Sequence, residues 1–227
     1  MADNTKRQGE NNLDQIEGAL GKSEQFFEKN QKLIVGGFAV IIVVVLAIFG
    51  TQKLFIQPKE AAAQVEIYKA QELFKDSKFE EALNGDGATY LGFLEIADQY
   101  KITKSGKLAN YYIGVSYLRL GDFQNAVNYL SKYKSNDYYI GAMAKSALGD
   151  AYVELGNYPS AIGAYKQACS INPNDLTTPE FLKKLAMAYE LSGDNSNAIA
   201  TYEEIVDKYP TSTTKIDANR SLGRLQK

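Results

Sequence analysis

The feature that most constrains how this chain folds is a spacing of small and aromatic residues that recurs three times after residue 106. In each copy a small residue is followed three positions later by tyrosine, then four positions later by glycine, then five positions later by alanine. A unit of about 35 residues is typical of helical hairpins that stack, because one hairpin cannot bury its apolar face alone. The spacing therefore predicts an all-α fold of repeated helix pairs. The copies are Gly114, Tyr117, Gly121 and Ala126; Gly149, Tyr152, Gly156 and Ala161; and Ala186, Tyr189, Gly193 and Ala198.

Each position of this spacing has a physical role in a helical hairpin. The glycine supplies the left-handed residue that ends the first helix. The residue after it, which is Asp122, Asn157 or Asp194, is a good N-cap for the second helix. The alanine lets the two helices approach closely, and a larger side chain would overpack the contact by about 1–3 kcal/mol. Pro173 and Pro210 are placed to stop the second helices.

These positions resemble the tetratricopeptide repeat, a helical hairpin of about 34 residues. The resemblance covers residues 63–226 and implies a solenoid of about four repeats with a C-terminal capping helix. We expect repeats near 63–106, 107–140, 142–175 and 179–212. The cap at 213–226 is expected to be an amphipathic helix with Ile216, Ala218, Leu222 and Leu225 on its apolar face. The first repeat matches less well and contains an insertion that begins where Asn84-Gly85-Asp86-Gly87 breaks a helix.

An uncharged apolar run from Leu33 to Gln52 precedes the repeats. As a helix rising about 1.5 Å per residue, it matches the thickness of the hydrocarbon core of a bilayer, about 30 Å. We therefore predict a transmembrane helix at 33–53 and a linker at 54–62. The alternatives are a buried core helix and a cleavable signal peptide. Basic residues flank both ends about equally, so the positive-inside rule does not decide the orientation.

The segment 1–32 is predicted to be a tail that contains an amphipathic helix. Its apolar residues recur at helical spacing, so this stripe could lie on a membrane surface or dock on a helix of a partner. The alternative is a disordered leader with chance spacing, which Gly18 and Gly21 favour. The stripe consists of Leu13, Ile16, Leu20 and Phe27.

The composition argues against catalysis and against nucleic-acid binding. The chain has no histidine and one cysteine, so the usual general base near neutral pH and a multi-thiolate metal site are both missing. Its formal net charge is -2, with acidic and basic residues interspersed. We therefore predict a non-enzymatic protein with no catalytic, cofactor-binding or metal-binding residues, and no nucleic acid among its partners.

In stacked hairpins the first helices line a concave face, which is the predicted binding surface. The mixture of tyrosine, methionine and aliphatic side chains there suits an apolar or extended peptide. The alternative is that the chain itself fills this groove. The predicted groove residues are Tyr111, Val115, Leu118 and Arg119; Met143, Ser146, Asp150 and Val153; and Lys183, Met187 and Glu190.

The layout as a whole is similar to that of the membrane-anchored ancillary subunit of the bacterial SecYEG translocon. That resemblance implies an inner-membrane protein with a cytoplasmic N-terminus and periplasmic repeats, which handles newly translocated proteins or recruits chaperones. The stripe and the membrane helix would then contact the translocon. Two other functions remain open: a coordinator of envelope assembly or cell division, and a cytosol-facing receptor or adaptor.

Overall fold

The computed structural model describes residues 29–134 and 137–227 and divides the chain into two units, Met1–Gln57 and Pro58–Lys227. In the first unit, helix α1 covers 29–51 and a π-helical turn follows at Gln52–Ile56. The predicted stripe of Leu13, Ile16, Leu20 and Phe27 lies outside the described residues.

Helix α1 exposes its apolar side chains along its length, unlike a core helix. It begins the helix Lys29–Lys75, which among the described residues is the one long and apolar enough to cross a membrane. Length and composition alone also fit a signal sequence. The hydroxyl of Thr51 donates to the carbonyls of Ala47 and Ile48, so this polar group is satisfied inside the helix. The segment 54–62, predicted to be a linker, is helical throughout.

The second unit is a series of helices, and the predicted all-α fold is confirmed. Within the described ranges the structure contains no β-strand, and an isolated bridge joins Gly85 to Leu91. The helices are α2 (Gln57–Lys75), α3 (Phe79–Asn84), α4 (Phe93–Gln99), α5 (Lys104–Leu120), α6 (Phe123–Lys132), α7 (Tyr138–Glu154), α8 (Tyr158–Ile171), α9 (Thr178–Leu191), α10 (Asn195–Lys208) and α11 (Thr214–Leu225).

The short helices α3 and α4 are separated by a turn that Asp86 organises. Its carboxylate accepts hydrogen bonds from the backbone N–H groups of Ala88, Thr89 and Tyr90. Helix α4 then contributes the fully buried Phe93 to a core shared with α2, α3 and α5. The insertion in the first repeat is therefore part of the hydrophobic core.

The three predicted glycine caps are confirmed. Each glycine has φ between 70° and 83°, a region that costs other residues about 1–2 kcal/mol. The N–H of the residue after each glycine bonds the carbonyl of the repeat tyrosine, which completes a Schellman motif. The predicted N-caps are also confirmed, since Asp122, Asn157 and Asp194 accept hydrogen bonds from the N–H three residues on. The glycines are Gly121, Gly156 and Gly193.

Small residues bring the two helices of each hairpin into direct contact. Ala126, Ala161 and Ala198 are fully buried, as the spacing predicts. A Cβ added to Gly149 would lie 2.5 Å from a ring carbon of Tyr165, and one added to Gly114 would lie 2.4 Å from the side chain of a buried leucine. These distances leave no room for a methyl group.

Helix α11 closes the last repeat. Ala218 is fully buried against α9 and α10, and Leu222 and Leu225 pack beside it. The assignment of Ile216 to the same face was wrong, because its side chain is exposed. Residues two apart on an α-helix point about 200° apart, so Ile216 and Ala218 cannot share a face.

We expect Gly149→Ala to lower the free energy of unfolding of the repeat unit by about 1–3 kcal/mol, because the methyl group would overlap the Tyr165 ring. Denaturant unfolding followed by circular dichroism measures the change. Gly163→Ala is the matched control, since Gly163 lies within α8 and its added Cβ would meet no atom within 4 Å. The control should gain about 0.5–1 kcal/mol from helix propensity. Equal losses in both variants would contradict the close contact.

Candidate functional site

Helices α5, α7 and α9, the first helices of successive hairpins, line a concave cavity of about 680 Å3. Ten of the eleven predicted groove residues lie around it. The eleventh, Glu190, lines an adjoining cavity of about 560 Å3 formed by α9, α10 and α11. Nine further residues outside the predicted set line the first cavity: Phe123, Ala147, Glu154, Tyr165, Glu180, Phe181, Lys184, Ala188 and Leu191.

An ion pair joins α7 to α9 inside this groove. The Nζ of Lys184 lies 2.6 Å from a carboxylate oxygen of Asp150. The hydroxyl of Tyr165 donates to the same carboxylate at 2.7 Å. Burial, and then the adjacent Asp150 carboxylate, raise the pKa of Tyr165, so this tyrosine remains a hydrogen-bond donor. The predicted groove residue Asp150 is therefore held by the chain itself.

Ion pairs also join α9 to α11. Lys183 lies 3.0 Å from Glu180 of its own helix and 3.4 Å from Asp217 of α11. Glu190 pairs with Arg224 of α11 and accepts a 2.8 Å hydrogen bond from the hydroxyl of a buried tyrosine, Tyr202. Two more predicted groove residues, Lys183 and Glu190, thus have partners within the chain.

The seam between α5 and α7 is different. No ion pair joins these two helices in the ranges that the structure describes. Tyr111, Val115 and Leu118 face the cavity from α5, and Met143 faces it from α7 with 47% of its surface exposed. Arg119 is exposed at the end of this apolar patch, and no described carboxylate lies within ion-pair distance of it. We call these five residues the α5–α7 seam.

Tyr111 anchors the seam. Its ring centroid lies 5.4 Å from that of Tyr112 and 5.9 Å from that of Tyr133. Burial, and then the two neighbouring tyrosines, raise its pKa to about 12. The phenol is therefore neutral at physiological pH, and it offers an aromatic surface with one polar atom.

The described residues offer little for catalysis. They contain no group of three or more histidine, cysteine, aspartate or glutamate residues that could hold a metal ion. Burial, and then the charge of Glu204, raise the pKa of the Cys169 thiol to about 12, so it is protonated and a poor nucleophile.

Two family models match the part of the chain that forms the groove. One, described as TPR repeat, matches residues 149–193. The other, described as Tetratricopeptide repeat, matches residues 108–137 and 184–212. The chain contains tetratricopeptide repeats. Such repeats imply a scaffold for protein–protein interaction, and proteins built from them are generally not enzymes.

Individual relatives agree with this assignment. A TPR repeat-containing protein of Methanocaldococcus jannaschii is 41% identical over 58 residues, which is 26% of this chain and 10% of that protein. Two crystal structures of MamA superpose with TM-scores of 0.56 and 0.57 at 20% identity. They cover 69% and 72% of this chain, and 81% and 80% of the MamA chains. The likeness to MamA shows the fold of the tetratricopeptide-repeat domain.

We expect Glu180 to make the stability of the tetratricopeptide-repeat domain depend on pH. Burial raises its pKa, but hydrogen bonds from Thr214 and Lys183 outweigh burial and hold the pKa below its usual 4.5. A lowered folded-state pKa stabilises the fold above the unfolded value, and this contribution disappears as pH falls through the folded value. Glu180→Gln should therefore melt below the wild type at pH 7, with a gap that narrows below about pH 4.5.

Thermal unfolding across a pH series tests this expectation. Glu203→Gln, at an exposed carboxylate on α10, is the control and should produce a smaller gap at every pH. A Glu180→Gln gap that stays constant from pH 7 to pH 3 would show that the carboxylate charge does not contribute.

Proposed function

We propose that this chain is a membrane-anchored tetratricopeptide-repeat scaffold that binds extended, apolar polypeptide segments at the α5–α7 seam. The proposal rests on the difference in ion pairing between the two ends of the groove. Ion pairs join α7 to α9 and α9 to α11, whereas the seam presents Tyr111, Leu118 and Met143 without such a pair. A ligand at the seam would displace water from apolar surface and would break no ion pair.

The chemistry of the seam suggests what the segment contains. Methionine adapts to side chains of different shape, which suits a protein that binds many sequences, and tyrosine adds a large aromatic surface with one polar atom. Arg119 lies beside the apolar residues and would attract a carboxylate. We therefore expect segments in which an apolar stretch is followed or preceded by an acidic residue.

The membrane anchor is the run from Leu33 to Gln52. Its helix is long enough to cross a bilayer, and its apolar side chains are exposed in the structure. Such a surface is unfavourable in water and favourable in lipid, where a helix satisfies its own backbone hydrogen bonds.

The finer proposal is an ancillary factor of the Sec translocon in the bacterial inner membrane. The layout of one N-terminal anchor followed by tetratricopeptide repeats supports it. The repeats would lie in the periplasm, where the seam would bind newly translocated chains before they fold or reach chaperones. The anchor, together with the predicted tail stripe, would contact SecYEG.

We expect Met143→Ser to weaken binding of an unfolded polypeptide about five- to tenfold, because the half-exposed side chain loses apolar contact with the ligand. The probe is reduced, carboxymethylated α-lactalbumin, and fluorescence anisotropy with the full chain in lipid nanodiscs measures the dissociation constant. Leu155→Ser is the matched control, since Leu155 follows α7, is 44% exposed and does not line the cavity. Equal effects of the two substitutions would overturn the assignment of the seam.

We expect protease added outside spheroplasts to digest a tag placed after Lys227 while a cytoplasmic marker survives. That result requires periplasmic repeats, as the Sec-associated proposal does. Protection of the tag until the membrane is lysed would place the repeats in the cytoplasm and would favour a cytosol-facing receptor. Recovery of the chain in mild detergent without SecYEG would exclude the translocon as partner while leaving the anchor intact.

A further inference from the structure

A second apolar surface lies outside the groove, where the first helices of the hairpins begin. Ile102 precedes α5, Tyr138 and Tyr139 open α7, and Leu176 precedes α9. These side chains are between 48% and 82% exposed. They occupy similar positions in three successive repeats, ten to twelve residues before Gly114, Gly149 and Ala186 respectively.

Core contacts bring the starts of these helices together. Leu108 of α5 and Ile140 of α7 pack against one core cluster. Ala142 of α7 and Phe181 of α9 belong to another. The exposed residues therefore form a row, and a row of this kind marks an interaction surface more strongly than apolar residues scattered singly.

The same edge carries a positive charge. Lys101, Lys104, Lys107 and Lys134 are exposed, and none has a described carboxylate within ion-pair distance. The acidic residues placed with these lysines are Glu60, whose carboxylate accepts hydrogen bonds at the start of α5, Asp137, whose carboxylate accepts the N–H of Ile140 at 2.8 Å to cap α7, and Asp175. The four lysines outnumber these three carboxylates. We call the four apolar residues and the four lysines the amino-terminal edge.

Tyrosine and lysine side by side are the combination that suits a membrane interface. The tyrosine ring is amphipathic and sits at the level of the headgroups. Lysines near an anionic surface each strengthen binding about fivefold. An apolar row without charge would be enough to bind a protein partner. The lysines, which have no ion-pair partner among the described carboxylates, favour anionic lipid instead.

The covalent chain also limits how far the start of α5 can lie from the end of the apolar run. Glu60, in the first turns of α2, accepts a 2.7 Å hydrogen bond from the hydroxyl of Ser105 and further bonds from the backbone N–H groups at the start of α5. Lys53, which follows the apolar run, precedes Glu60 by seven positions. By covalent reach alone, seven residues extend at most about 25 Å.

We infer that the amino-terminal edge rests on an anionic lipid surface, with Tyr138, Tyr139 and Leu176 at headgroup depth and the lysines against lipid phosphates. This inference deepens the proposed membrane anchoring and rests on it for the distance argument. On this inference the starts of α5, α7 and α9 lie against the membrane.

Spin labels test the inference on the full chain in vesicles of phosphatidylcholine and phosphatidylglycerol. Labels replace Tyr138 and Leu176 in a Cys169→Ser background whose folding is checked by circular dichroism. Labels at Leu120 and Leu155, which are 42% and 44% exposed at the opposite ends of α5 and α7, are the matched controls. A label at Val43 reports separately on the anchor. Relative accessibility to oxygen and to a water-soluble nickel complex gives the depth of each label.

We expect lipid depth at Tyr138 and Leu176 and water at Leu120 and Leu155. Replacing Lys101, Lys104 and Lys107 with glutamine, or omitting phosphatidylglycerol, should lower the lipid-contacting population of the edge labels at least tenfold. Water at the edge labels with lipid at Val43 would overturn the inference while leaving the anchor in place. Water at Val43 with lipid at the edge would overturn the anchor alone. Edge labels that become protected only when a protein is added would make the edge a protein-binding surface and overturn the inference.

Discussion

The close approach of the two helices within each hairpin is the constraint on which the rest of this domain depends. At Gly149 the backbone of α7 lies against the ring of Tyr165, and a methyl group would overlap that ring. The hydroxyl of the same tyrosine donates a hydrogen bond to Asp150, whose carboxylate pairs with Lys184 on α9, the first helix of the following hairpin. Packing inside one hairpin therefore positions the group that joins it to the following hairpin.

The pairing of charged side chains differs from one end of the groove to the other. Ion pairs join α7 to α9 and α9 to the capping helix α11, and tyrosine hydroxyls donate hydrogen bonds to two of the carboxylates. Ion pairs that are partly exposed contribute little to stability, but they occupy the polar groups that a ligand would otherwise contact. The α5–α7 seam has apolar side chains in the same positions and one arginine. A ligand that binds there would not have to break an ion pair between helices.

Much of the fold and of the groove was predictable from the sequence, because the residues that determine them lie close together along the chain. The left-handed glycines, the N-caps and the buried alanines depend on residues a few positions apart, and helical projection placed ten of the eleven groove residues around one cavity. The partners of Asp150, Lys183 and Glu190 were not predicted, because each pair joins residues of different hairpins and depends on how far one helix is displaced along the next. Ile216 was misplaced because two residues of a helix were assigned to one face across a spacing that does not permit it.

Exposed apolar surface is unfavourable in water. Three such surfaces among the described residues are the run that begins at Leu33, the α5–α7 seam and the amino-terminal edge. They differ in the charge that accompanies them. The run is uncharged, which suits the interior of a bilayer; the edge has unpaired lysines, which suit its surface; the seam has one arginine, which suits a peptide with a carboxylate. If the run and the edge are occupied by lipid, the seam remains available to a protein ligand.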